Sequence, residues 1–395
     1  MIKKHYLERN INIIYIYNFL MGLMFLLPIY ALYLKQELFT VFNVTLIIAI
    51  GSIALLIFEV PSGAFADLFG RKKTIILSSF FAVISLIFLV IGGSMIFFII
   101  NVLLSSLSRA LLSGSDSALL YDSIEDMKKK KIKQNNPHFK KVIGINSSMW
   151  PIGASISAFF GGILAAVDIR LPIIITIIPF TFAFLITFFL REPDYEKESH
   201  KNLFKQMFTS TKILLKNKQI LLLAIAGFMF YSFGETAHQL NPIFFEFKMI
   251  PLEYFGMIFA GIFAMSFIGH FFSHNFSEKF GNKTTLLITA IIPPILLFCT
   301  TLVNGLFIVL FLIPSSIFFG LRRPVIAHML NLEVESKHRA TVISIGNFAN
   351  MLGLAIFALI FGYLIDLYNI NFVFKIIAGC AFLAVLALLF VKNKN

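Results

Sequence analysis

The chain has 395 residues, of which 58% are hydrophobic, only 13% are charged and 48 are Phe, and its formal net charge is +13. A soluble domain carries about 25% charged residues and cannot hide this much apolar surface, so a water-soluble globule is excluded and lipid is the solvent. The bases lie between apolar runs, not in a stripe interleaved with aromatics. That excludes nucleic acid as the partner and reads as membrane topology.

Twelve apolar runs follow one another, at roughly 12–34, 42–65, 74–93, 95–120, 142–166, 171–190, 219–243, 254–276, 284–303, 305–329, 341–366 and 372–391. Each approaches the ~20 residues that cross the hydrocarbon as a helix, and a helix satisfies its own backbone there. The expected fold is an all-α membrane protein of 12 transmembrane helices in two pseudo-symmetric six-helix bundles, 1–190 and 219–395, joined by a cytoplasmic linker at 191–218. With both termini cytoplasmic, 28 of the 33 Lys and Arg fall on that side, four on the other, and Arg109 inside a run. The positive-inside rule then orients the chain as a multi-pass protein of the cell (inner) membrane. The basic start leads into a long run with no small-residue cleavage site, which reads as a first spanning helix. Cys299 and Cys380 both sit in apolar runs, so no disulfide framework, metal or cofactor is expected. His270 and His274, one turn apart, lack a third ligand.

Polar residues inside the runs are the candidates for function, because an ionisable group at membrane depth is costly. Asn18 in the first run either lines a cavity or bonds a neighbouring helix. Glu59 precedes Asp67 by eight residues, about 12 Å at 1.5 Å per residue. Arg109 precedes Asp122 by thirteen, about 20 Å and near the bilayer centre. Asp116, seven residues on, shares a face of the same helix. Arg109 is expected to line the cavity and couple protons through Glu59 or Asp116, since a guanidinium lowers the pKa of a nearby carboxylate. The rival is a structural tie between the second and fourth helices. In the second half, Tyr231, Glu235, His238 and Gln239 form one helical stripe. Glu235 with His238 reads as a proton or substrate site, or as the outer mouth of a shorter helix. Asn241-Pro242 marks a kink or an end.

The halves echo each other. Asp67-Leu-Phe-Gly70-Arg-Lys-Lys-Thr recurs 211 residues later as Glu278-Lys-Phe-Gly281-Asn-Lys-Thr-Thr. Ala118-Leu-Leu-Tyr-Asp122 matches Ala327-His-Met-Leu-Asn331. Such repetition marks many secondary transporters. Over its full length the chain resembles the major facilitator superfamily. The loop motif G-x-x-x-D-x-x-G-R-K is present at Gly63, Asp67, Gly70, Arg71 and Lys72. The helix-4 motif R-x-x-x-G is met by Arg109, with Ser113 at the glycine position. Of the glycines that antiporters of the family carry in helix 5, Gly144, Gly153, Gly161 and Gly162 remain, and Ser157-Ala158 replaces the central Gly-Pro.

The resemblance implies a gating latch: Asp67 facing the positive end of helix 11 near Arg339, Arg71 pairing with Asp122, Gly63 allowing close approach and Gly70 the reversal. It implies a monomeric secondary active transporter that exports a small drug-like or amphipathic molecule against protons by alternating access. A proton symporter importing a metabolite is the alternative. A membrane-embedded lipid-modifying enzyme is a weaker one, because no G-x-S-x-G, H-E-x-x-H or Walker loop occurs.

Overall fold

A computed structural model describes residues 6–129, 139–193, 217–334 and 336–392; most of the expected linker lies outside them. The described chain is helical: α1 (Tyr6–Gly22), α2 (Tyr30–Leu38), α3 (Val41–Phe69), α4 (Arg71–Ile91), α5 (Met95–Leu112), α6 (Ser115–Lys129), α7 (Phe139–Val167), α8 (Leu171–Thr187), α9 (Lys218–Phe247), α10 (Glu253–Phe280), α11 (Asn282–Leu302), α12 (Val309–Glu333), α13 (Ser336–Leu367), α14 (Ile370–Ala381) and α15 (Leu383–Leu389). A 3₁₀ turn containing Pro28 links α1 to α2. Eleven helical stretches are long and apolar enough to cross a membrane, and α8 is a shorter apolar helix of 17 residues, about 26 Å at 1.5 Å per residue. The chain is a multi-pass membrane protein.

By packing the chain forms two units, residues 1–33 with 50–199, and residues 34–49 with 200–395. In the first unit α1 packs on α7, α6 and α8, and α4 on α5 and α8. Its core includes Ile14, Tyr17, Leu119, Ile124 and Leu190. The packing of α7 depends on missing side chains: a methyl on Gly153 would overlap the Phe19 carbonyl oxygen of α1, and one on Gly161 that of Phe25 in the connection after α1. Small residues permit this contact, which packing and backbone dipoles stabilise where apolar lipid competes equally for side chains. Asn10 is wholly buried and gives its amide N–H to Ser123 Oγ (3.0 Å) and the Arg191 carbonyl (2.8 Å).

In the second unit α10 packs on α12 and α9 on α13. Gly269 and Gly320 bring α10 and α12 together as Gly153 does α1 and α7. Its core includes Leu223, Ala226, Leu286, Val325 and Leu388. Residues 34–49 pack here as well. The carboxylate of Asp366 accepts the N–H groups of Val41 and Phe42, each at 2.8 Å. These are orphan donors of the first turn of α3, and an anion suits that positive helix end. Thr45 fills the space beside Gly362, and Lys35 pairs with Glu246 at 2.6 Å.

The helices correct two expectations. Helix α9 runs unbroken through Pro242, so Asn241-Pro242 neither ends it nor shortens it. Proline removes one N–H, a loss that neighbouring helices and local adjustments make good in a membrane bundle. The fourth run is not one helix but two, since α5 stops at Leu112 and α6 starts at Ser115. Gly114 between them has φ 76°, a left-handed conformation that glycine adopts without a side-chain clash.

Candidate functional site

The break in the fourth run creates the site. Asp116 falls in the first turn of α6. Its Oδ1 accepts the Ser117 N–H (2.6 Å) and hydroxyl (3.2 Å). Its Oδ2 accepts amide N–H groups from Asn18 of α1 (3.3 Å) and Asn146 of α7 (3.2 Å). Asn18 also donates to Asn146 Oδ1 at 2.7 Å. Both asparagines are buried, 8% and 5% exposed, and the buried Tyr17 is within electrostatic reach of Asp116. One carboxylate thus ties α1, α6 and α7, stabilised by a helix N-terminus and by four donors. Both amides converge on the same oxygen, Oδ2, so the carboxylate joins α1 and α7 at one point.

Arg109 stands apart from this network. It lies in the last turn of α5 and is exposed. Its charge acts on Tyr30 at the start of α2, and among the described residues it has no ion pair. The expected shared face of Arg109 and Asp116 is lost, because the turn at Ser113-Gly114 resets the helical phase. Glu59 is exposed, and the one bond described for it is its carbonyl accepting the Ser62 hydroxyl at 2.9 Å; it joins neither group.

The loop motif closes on itself in the first unit. Arg71 pairs with Asp67 at 2.8 Å and approaches Asp122 at 3.9 Å. Gly70 (φ 97°) offers α4 no side-chain cap, and Glu192 supplies one from beyond α8. Its two oxygens accept the N–H groups of Arg71 (2.6 Å) and Lys72 (2.8 Å). Lys72 Nζ in turn donates to the Phe188 carbonyl at 3.1 Å. Among the described residues nothing lies within 4 Å of where a side chain on Gly63 would begin. The side chain of Arg339, the expected neighbour of Asp67, lies outside the described residues. In α7, Gly153 and Gly161 are points of close approach, Gly162 is buried, and Gly144 is exposed with nothing near it.

In the second unit Glu235 accepts from Gln239 Nε2 at 3.1 Å. His238 turns instead to Phe259 and Phe263, with ring centroids 5.4 and 6.3 Å away. The stripe is therefore split between two environments. Tyr231 donates its hydroxyl hydrogen to Met351 Sδ at 3.7 Å. His270 Nδ1 lies 2.8 Å from the Ser266 carbonyl oxygen, so the two histidines of α10 do not converge. Sequence reasoning missed Asn146, Glu192, Asp366 and Arg322. Arg322 falls inside the apolar run 305–329 and sits beside Arg323, so the pair reads as a topology signal.

Comparison with known proteins agrees with this architecture. The sequence profile of the Major Facilitator Superfamily matches residues 13–249 and 240–395. The chain belongs to that superfamily and is a transporter by family. It is 29% identical over 219 residues to the uncharacterised MFS-type transporter YxaM of Bacillus subtilis (strain 168), an alignment covering 54% of this chain and 51% of that protein. The chain thus spans about half the length of that relative. Among solved structures, the nucleoside transporter NupG superposes with a TM-score of 0.79 at 15% identity, covering 98% of this chain and all of that one. A D-xylose-proton symporter gives 0.78 at 14% identity, covering 98% of each. At these identities the likeness is one of fold.

Proposed function

We propose that this transporter is a proton-coupled exporter of small amphipathic molecules, with Asp116 as the proton carrier. The Asp116–Asn18–Asn146 cluster carries the reading: it puts a titratable carboxylate at a helix break inside a membrane span, bonded to side chains of two other helices. Protonation weakens the amide bonds and frees α1 and α7 to shift. The broader picture comprises twelve crossings in bundles 1–190 and 219–395, a cytoplasmic linker at 191–218, cytoplasmic termini in the inner membrane and a monomeric state. The counts of basic residues and the two-part repeat support it. Asp67, Arg71, Asp122 and Glu192 act as the cytoplasmic latch, and Glu235, His238 and Gln239 line the path in the second half.

The test is reconstitution in vesicles loaded with a pH-sensitive dye. Cationic, neutral and anionic amphipathic compounds are added in turn, with and without an imposed pH gradient. A transported compound moves protons with the wild type and not with Asp116→Asn. Equal proton movement in both overturns the assignment, and uptake driven along with protons instead of exchange against them reverses the direction to import.

A further inference from the structure

We infer that Arg322 recognises an oxyanion, so that the transported molecule carries a carboxylate or phosphate group on a flat apolar body. The inference rests on the transporter reading above and adds the substrate class.

Arg322 lies thirteen residues into α12, about 20 Å along the helix and within a candidate membrane span. A charge there is retained only if something compensates it. The structure supplies little. The guanidinium carbon sits 3.9 Å from the centroid of Phe230 in α9 and 5.8 Å from that of Phe319. Of its five N–H donors, one reaches the Thr289 carbonyl of α11 at a long 3.5 Å. No Asp or Glu lies within ion-pair distance among the described residues. The side chain is half-buried, and the Thr289 carbonyl is the one hydrogen-bond acceptor described for its donors. Stacking fixes the plane of the guanidinium and leaves its fork free, which is the geometry that binds an oxyanion through two parallel N–H bonds. The ring of Phe230 then offers a surface to the rest of the ligand.

The repeat supports the same reading. The offset that aligns Ala327 with Ala118 places Arg322 level with Ser113, one turn from Arg109. Each unit therefore holds an arginine at comparable depth without an acidic partner. A purely structural arginine would instead resemble Lys248, whose ammonium is wrapped by Thr301, Val303 and Asn304 oxygens.

The test is ligand-dependent thermal stability of the purified full chain in detergent, which needs no transport and no proton coupling. The probes are benzoate and phenyl phosphate, with benzamide and benzyl alcohol as neutral matches. At least one anion is expected to raise the melting temperature at concentrations where its neutral match does not. Arg322→Gln is expected to weaken that apparent affinity by about tenfold or more, the loss of a charge-assisted hydrogen bond. Arg322→Lys is expected to retain part of it. The proposal is overturned if neither anion stabilises the wild type, if benzamide matches benzoate, or if Arg322→Gln responds like the wild type. Should Arg322→Gln fail to fold, Arg322→Lys decides: a reduced preference for the anion over its neutral match keeps the proposal, and a preference equal to the wild type's overturns it. A normal proton signal in Asp116→Asn would remove the coupling assignment and leave this binding result standing.

Discussion

The two units treat polarity at membrane depth differently. In the first, Asp116, Asn18 and Asn146 are bonded to one another across three helices. In the second, Glu235 is bonded to Gln239 one turn away, Lys248 to nearby carbonyls, and Arg322 stacks on an aromatic face with one long hydrogen bond. A networked carboxylate converts a proton into motion between helices, because its neutralisation is felt by every partner at once. Locally settled groups can change occupancy while their helices stay put. Under the proposed function, coupling falls to the first unit and ligand recognition to the second.

The comparison breaks most decisively at Asp116. Asp116→Asn keeps the volume and removes the titration, and it presents an N–H to donors that previously met a carboxylate. Proton-driven transport should fall to that of protein-free vesicles. Glu235→Gln, which keeps its bond to Gln239 through the amide oxygen, should reduce it far less. Measuring both in one reconstitution decides the point, and equal losses would erase the distinction between the units.

Next in size is the α1–α7 seam that holds the network together. Gly153→Leu forces a side chain into the Phe19 carbonyl, and overpacking of this kind costs about 1–3 kcal/mol, with backbone as the obstacle favouring the upper end. Gly144→Leu, where the space is open, should leave the melting temperature nearly unchanged. Equal effects would mean that the glycines of α7 are not a packing device. A smaller effect is expected at Asp366. Asp366→Ala leaves the Val41 and Phe42 N–H groups without their acceptor, a lost cap worth about 1 kcal/mol, and hydrogen exchange should quicken at those two amides before any change deeper in α3.

Much of this fold was legible in the chain because lipid imposes a simple rule. Runs near 20 residues become helices, and the hairpin around Gly70 had to reverse the chain, so α4 begins at Arg71. What escaped were features without a hydropathy signature. The break at Ser113-Gly114 hides inside an apolar run, yet it places Asp116 at a helix N-terminus and separates it from Arg109. Asn146 looks like any polar residue in a span until α1 is laid against α7. Arg322 beside Arg323 mimics a topology signal. The bonds from Glu192 to Arg71 and Lys72 span about 120 residues, and no local pattern announces them.

The mildest expected effect concerns Lys248, and it sharpens the claim that charges in the second unit are settled locally. Its Nζ donates to the Thr301 carbonyl (3.2 Å), the Val303 carbonyl (2.7 Å) and Asn304 Oδ1 (3.4 Å). Burial, with a lesser push from Lys375, nevertheless holds its pKa below the ordinary lysine value. The native state therefore releases its proton at a lower pH than the unfolded chain. Between those two values the unfolded chain binds more protons, so stability contributed by this site rises with pH. The rise begins at the lowered native value and is complete above the ordinary one, about 10.4. Melting temperatures of wild type and Lys248→Met taken from neutral pH upward should converge on the wild type's side: the variant lacks this gain, so the difference between the two curves moves in favour of the wild type as pH increases. A difference that stays flat across that window would show that the carbonyl cage, and not desolvation, sets the ammonium's free energy.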